Sequence, residues 1–425
     1  MKRLTYFSST RSLLAAAALT TLIVGAHAET IGDTMRDTLR FSPQLQAARS
    51  ATTASTEQAQ QAKSAFGPFG SLDASLGLNR YQALPLVPEQ TFAPRSAGVS
   101  MSLPLYTSGL LEARLSAAHS QAEAAHWQEL QTQQSVLFDA ANAYLGAARD
   151  THVQELAVHQ VQLLAAELDR ARAELQQGLR TRTDTAQAEA RLAAAQAHLR
   201  ATQGDTQTAL VRYASLVGRP VQGELALPTV TVPASLEPVL RTVLANNPGL
   251  QSVAAQVAGA AAAVDAARAS DKASVSLGAS WSRDRDSNPV LPSESSAAVM
   301  LKLTVPLFDS GLARAQVGQA SALHSKAQAE RDEMRNELQA QTQTAWEMLQ
   351  SAQAQLSALD HQVQAATTAL EGARAEYKAG TRTLLDVLNA EQELLDAQTN
   401  NLSAGYERVS AALRLDALQG QLHVD

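Results

Sequence analysis

The chain has 425 residues, a formal net charge of −7, 4% aromatic residues and no cysteine. An acidic balance argues against nucleic acid as a partner, because phosphate binding is driven by basic side chains. The absence of cysteine excludes disulfides, thiolate metal sites and an acylated N-terminal cysteine anchor.

Residues 1–28 read as a secretory signal: Lys2, Arg3 and Arg11 give the positive start, Leu13 to Val24 is apolar, and Ala26-His27-Ala28 is a small-x-small cleavage site. The mature chain then begins at Glu29, and losing three basic residues takes its net charge to −10. No later stretch approaches the ~20 apolar residues of a spanning helix. Membrane insertion is left to strands.

One unit is written twice, over residues 29–218 and 239–425. Pro104-Leu105-Tyr106-Thr107-Ser108-Gly109-Leu110 returns 202 positions later as Pro306-Leu307-Phe308-Asp309-Ser310-Gly311-Leu312. At the same offset Ala171–Glu189 matches Ala373–Glu391 in ten of nineteen positions, including Gly178/Gly380, Arg180/Arg382, Asp184/Asp386 and Glu189/Glu391. Self-similarity on this scale marks a structural duplication. Each copy opens on a capping residue and a proline, Ser42-Pro43 and Asn247-Pro248, where the missing N–H is harmless. That pair is offset by 205, so copy one holds three extra residues before Pro104, most easily in the loop between its strands.

Four alternating segments follow the helix starts. Leu72, Ala74, Leu76 and Leu78 make the first and Val99, Met101, Leu103 and Leu105 the second. Val275, Leu277, Ala279 and Trp281 make the third, and Val299, Leu301, Leu303, Val305 and Leu307 the fourth. The polar partners between them suit a barrel strand with lipid outside and water inside, although half-buried strands of a soluble sheet look similar. The polar stretches Gln82–Arg95 and Asp284–Ser296 are expected as extracellular loops, and Pro104 and Pro306 as the ends of the ladder.

Proline-free tracts, Ser108–Gln177 and Ser310–Ala379, then read as helices of about 105 Å each if unbroken. Gly178 and Gly380 supply the reversals, and a returning helix ends near Gly218 and Gly420 to complete an antiparallel coiled pair. Arg219–Pro238, between the copies, reads as an irregular or extended linker. The expected class is therefore mainly α with a β-barrel part. Four strands leave two open edges in lipid, so closure requires further copies.

The pattern resembles the TolC-like outer-membrane efflux and secretion channels, most specifically in Tyr377-Lys378-Ala379-Gly380-Thr381-Arg382-Thr383-Leu384-Leu385-Asp386-Val387-Leu388-Asn389. The resemblance implies a homotrimer with a twelve-stranded barrel in outer-membrane lipid and an α-helical periplasmic tunnel. It also implies a periplasmic adaptor and an inner-membrane pump of RND or ABC type as partners. Carried over by position, Tyr377 with Asp184 and Arg382 with Thr183 would be gate latches. Asp386 and Asn389 would face the pore constriction, where the family has aspartate at both positions. Gly178-Leu179 and Gly380-Thr381 would be adaptor-docking tips.

No nucleophile elbow or phosphate-cradling glycine loop occurs, so neither an enzyme nor a cofactor is expected. The pairs His119/His126 and His152/His159 are seven apart rather than the four that suits helical metal ligation, and read as solvated or interhelical. Of the tryptophans, Trp281 is placed at a strand end near an interface, and Trp346, the repeat partner of Tyr144, between helices. The rival reading is a periplasmic adaptor or structural protein of coiled-coil hairpins, which would need neither the strands nor the duplication.

Overall fold

A computed structural model describes residues 29–83, 87–287 and 293–423. The expected signal segment, residues 1–28, lies outside the described residues, as do parts of both expected extracellular loops.

Copy one runs α1 (Ile31–Phe41), α2 (Pro43–Ser64), β1 (Phe69–Leu76), β2 (Asn79–Ala83), β3 (Val87–Phe92), β4 (Arg95–Tyr106), α3 (Leu110–Gln176) and α4 (Arg182–Val217). Copy two runs α5 (Leu236–Asn246), α6 (Pro248–Ala269), β5 (Ser274–Arg285), β6 (Ser293–Thr304), α7 (Leu312–Lys378) and α8 (Leu384–Leu418). Short helices α1 and α5, which alternation and proline signals did not separate, precede the expected starts. Ser42 ends α1 and also caps α2 by accepting from Leu45 N at 3.3 Å, and Asn247 does the same for α6 through Leu250 N at 3.1 Å. α5 begins inside the segment expected as linker.

α3 and α7 each hold 67 residues, about 100 Å of continuous helix. Each is flanked by two shorter partners: α2 and α4 pack along α3, while α6 and α8 pack along α7. α6 also lies on α3, where Ser252 Oγ donates to Ala124 O at 2.9 Å. Small residues permit this close approach. The buried face of α3 includes Ala140, Ala141, Ala143, Ala147, Ala148, Ala157 and Ala171.

The main apolar cluster forms a waist where the first described residues, α3, the ends of α4 and α8, and the linker meet, around Leu137, Tyr144, Tyr213, Tyr406 and Val409. Tyr144 Oη lies 2.8 Å from the carbonyl oxygens of both Glu29 and Ala226, and burial pushes its phenol up to about 12. Trp346 packs on a second cluster with Val239, Leu349 and Leu415, between helices as expected from its repeat partner.

The sheet order is β1-β4-β5-β6, antiparallel throughout. Opposed residues share a face, so register assigns the two sides. Leu72, Val99, Trp281 and Ala297 form one row; Gly70, Met101, Ala279 and Val299 the next; then Leu103, Leu277 and Leu301; then Val275 and Leu303. The other face carries Ser71, Ser100 and Ser280, then Asp73, Ser282 and Ser296, with serine pairs bonded across the strands at 2.9 Å (Ser71–Ser100) and 3.0 Å (Ser282–Ser296). From Val275 to Trp281 the apolar rows span about 20 Å, close to the ~25 Å band of outer-membrane barrels.

Four expectations change here. Towards the loops β4, β5 and β6 outrun their alternating cores, because backbone pairing continues into polar sequence, whereas β1 stops at Leu76, short of Leu78, and β6 at Thr304, short of Val305 and Leu307. β5 reaches Arg285, and Trp281 marks the margin of the apolar band rather than the end of its strand. Much of the expected loop 82–95 is strand: β2 and β3 form a separate hairpin, and β4 already begins at Arg95. Pro104 does not end its ladder. It stays opposite Ser276, and a register shift between Pro104 and Tyr106 absorbs the missing donor. β6 stops at Thr304, before Pro306.

The registers Phe69↔Ser102 and Ser274↔Thr304 are equivalent under the two offsets. The three extra residues of copy one therefore lie between its paired strands.

Candidate functional site

The two helical hairpins end in near-identical turns. α3 closes with Gly178 at φ 74°, Gly178 N bonded to Leu175 O and Leu179 N to Glu174 O. α7 repeats this with Gly380 at φ 79°, Gly380 N on Tyr377 O and Thr381 N on Glu376 O. This six-to-one, five-to-two bonding satisfies the last carbonyls and needs the left-handed residue that glycine supplies. An apolar residue one position beyond such a glycine usually folds back on its helix. Leu179 does not, and is 72% exposed.

The returning helices begin with capping boxes. Asp184 N bonds Thr181 Oγ1 at 3.1 Å while Thr181 N bonds Asp184 Oδ2 at 3.1 Å, and Thr383 with Asp386 does the same at 3.3 and 3.0 Å. The hydroxyl and amide of Thr383 hold the Asp386 carboxyl below its ordinary value. Asp386 is therefore an anion with a fixed orientation at an exposed helix start.

The expected latch pairs are not formed within this protomer. Asp184 Oδ2 is taken up by its capping box. Arg382 Nε lies 2.6 Å from Glu376 Oε2 on its own hairpin, and among the described residues no hydrogen bond joins it to Thr183. Tyr377 sits instead beneath Arg180, whose guanidinium carbon is 5.0 Å from the ring centroid. Arg180 is paired with Glu174 and lies 3.5 Å from Glu167. The repeat alignment already contained this arginine, as the partner of Arg382, but its burial depended on which hairpin it faces.

Below this layer, Leu164, Leu168, Ala171, Ala188, Leu384 and Leu388 pack the tip of copy one against that of copy two. A repeated ion pair staples each hairpin: Arg172–Glu189 at 3.2 Å and Arg374–Glu391 at 2.9 Å. In the second the carboxylate is buried while Arg374 stays half exposed, and burial pushes the Glu391 carboxyl up despite its arginine. Asn389, at the expected constriction, accepts from Arg191 Nη2 at 2.7 Å. His152 Nδ1 lies 2.9 Å from Tyr406 Oη, an interhelical contact of the kind expected for these histidines.

An amphipathic four-stranded sheet thus continues into paired hairpins built on 67-residue helices, and the whole unit is duplicated. The outer membrane efflux protein family matches residues 35–219 and 239–421. The chain belongs to that family. Among its relatives, the outer membrane efflux protein BepC of Brucella suis is 28% identical over 332 residues, covering 78% of this chain and 73% of BepC. The alkaline protease secretion protein AprF of Pseudomonas aeruginosa is 29% identical over 298 residues, covering 68% and 62% of the two chains. The solved structure of CusC superposes with a TM-score of 0.82 at 18% identity, covering 92% of each chain. Family membership places the protein in the outer membrane as a passive conduit for efflux or secretion rather than an enzyme.

Proposed function

We propose that three copies of this chain close a twelve-stranded barrel in outer-membrane lipid and continue it as a helical duct through the periplasm. The supporting observation is the sheet. Its lipid-compatible face is continuous across all four strands, while β1 and β6 leave unpaired backbone at both edges. Open edges are not viable in hydrocarbon, and identical copies supply the missing partners symmetrically. A coiled-coil adaptor, the rival reading, has no use for such a sheet.

In this reading residues 1–28 are removed on export, residues 29–218 and 239–425 are the two repeats, and residues 219–238 are the linker at the waist. Gly178, Leu179, Gly380 and Thr381 form the tips on which a periplasmic adaptor docks, with exposed Leu179 offering an apolar knob. An inner-membrane pump supplies the energy. Tyr377, Arg382, Thr183 and Asp184 belong to the gate, and Asp386 with Asn389 lines its constriction. BepC is named for efflux and AprF for protease secretion, so cargo choice is assigned to the pump and adaptor rather than to this fold.

Planar bilayers seeded with the purified outer-membrane protein test the proposal. Discrete conductance steps are expected, and a protein that never conducts would refute it.

A further inference from the structure

We infer that Arg180 is the residue that clasps the two hairpin tips of one protomer, and that its repeat partner Arg382 lacks the surroundings to clasp the next protomer. The inference rests on the trimeric channel reading and concerns which of its seams gives way.

The two arginines begin alike. Arg180 pairs with Glu174 and Arg382 with Glu376, six positions earlier in each copy. Their surroundings then diverge. The Arg180 side chain is buried, lies 3.5 Å from Glu167 and covers the Tyr377 ring at 5.0 Å, a contact that Arg382 could make only with a neighbouring protomer. Tyr377 stands at the end of α7, so this contact crosses from the copy-one tip to the copy-two tip.

A desolvated guanidinium over a tyrosine face is attracted by the ring quadrupole, more strongly than the same pair in water. Its Nη1 and Nη2 nevertheless make no hydrogen bond in this packed arrangement. Parting the tips would hydrate both nitrogens while the two glutamates, on the same hairpin as Arg180, travel with it. The ring contact therefore favours the closed seam and the dry nitrogens favour the open one. Opposed contributions of this kind make a seam that can switch.

A closed ring of three protomers has six such seams, and pseudo-symmetry assigns the other three to Arg382. There the residue equivalent to Tyr377 is Leu175 and that equivalent to Glu167 is Ala369. Neither the ring nor the second carboxylate is present. The seams between subunits are thus the weaker set, and opening starts there.

Single-channel conductance of the full chain tests this. Arg180→Met and Tyr377→Leu should each raise resting conductance several-fold, and the double variant no further, since both remove one contact. Tyr377→Phe keeps the ring and should raise conductance less than Tyr377→Leu. Leu175→Tyr with Ala369→Glu should build the clasp at the other seams and lower the conductance of trimers that keep wild-type heat-modifiable migration. If Arg180→Met fails to assemble, as read from heat-modifiable migration, the gain-of-clasp variant decides. Wild-type conductance from Arg180→Met, a rise in Tyr377→Phe equal to that in Tyr377→Leu, or no fall in the gain-of-clasp variant would overturn the clasp while the channel stands. A wild type that never conducts would refute the channel reading itself.

Discussion

Arg191 on α4 donates to the side-chain carbonyl of Asn389 on α8 across 2.7 Å. The bond joins the returning helices of the two copies beside the expected constriction, at the position where the family resemblance anticipates an aspartate.

Asn389→Asp would turn this bond into an exposed ion pair, worth about 0.2–1 kcal/mol. Much of the added charge would be matched by Arg191, so the variant alone should gain little sensitivity to trivalent cations. Asn389→Asp combined with Arg191→Ala should gain far more, because the new carboxylate is then uncompensated. Blockade titrations in planar bilayers check the order of the two variants.

Glu391 provides a pH test. Burial raises its carboxyl above the ordinary value even beside Arg374, so the fold prefers the protonated form. The associated stability is present below the unfolded-state value, roughly 4.3, and is lost as pH rises through the folded one. Glu391→Gln should therefore be at least as stable as wild type at neutral pH and lose that advantage on acidification. Thermal melts of the detergent-solubilised protein at several pH values measure the crossing.

At the waist, Glu29 is buried and receives Arg219 Nη2 at 2.9 Å, Gln222 N at 2.6 Å and the Tyr213 hydroxyl. Arg219 also binds Asp37 at 2.7 Å. Removing one partner of a buried pair leaves the other uncompensated, typically at about 3–5 kcal/mol. Glu29→Ala should cost towards the lower end, since Asp37 still neutralises Arg219. The midpoint of thermal trimer dissociation should fall clearly.

The two sheet faces should respond oppositely to charge. Leu301→Arg places a cation in the middle of the apolar rows, where about 2–4 kcal/mol is lost in a membrane barrel. Ser280→Arg, on the serine face, should insert normally. Outer-membrane yield of the folded form compares them.

Much of this architecture was legible because duplication exposes itself: the Pro104 and Pro306 motifs and the Gly178 and Gly380 turns fixed the repeat without any geometry. Strand limits were not, because alternation reports which residues meet lipid and not where backbone pairing ends, as Trp281 and Arg285 show. Thr181-x-x-Asp184 and Thr383-x-x-Asp386 carry a readable capping-box spacing, and both boxes form in the structure. The burial of Arg180 was harder to read, since the repeat aligns it with Arg382, and the partners that separate the two, Tyr377 and Glu167 against Leu175 and Ala369, gain meaning only once the hairpins pack together.

The central claim is that the open edges of β1 and β6 meet in other copies of the chain. A chain without cysteine makes that directly measurable: Ser71→Cys on β1 is combined in turn with single cysteines at positions 295–301 on β6, and the outer membrane is oxidised. At least one register should yield a covalent ladder ending at three chains. Cross-links confined to single chains, or a ladder ending at two, would contradict it.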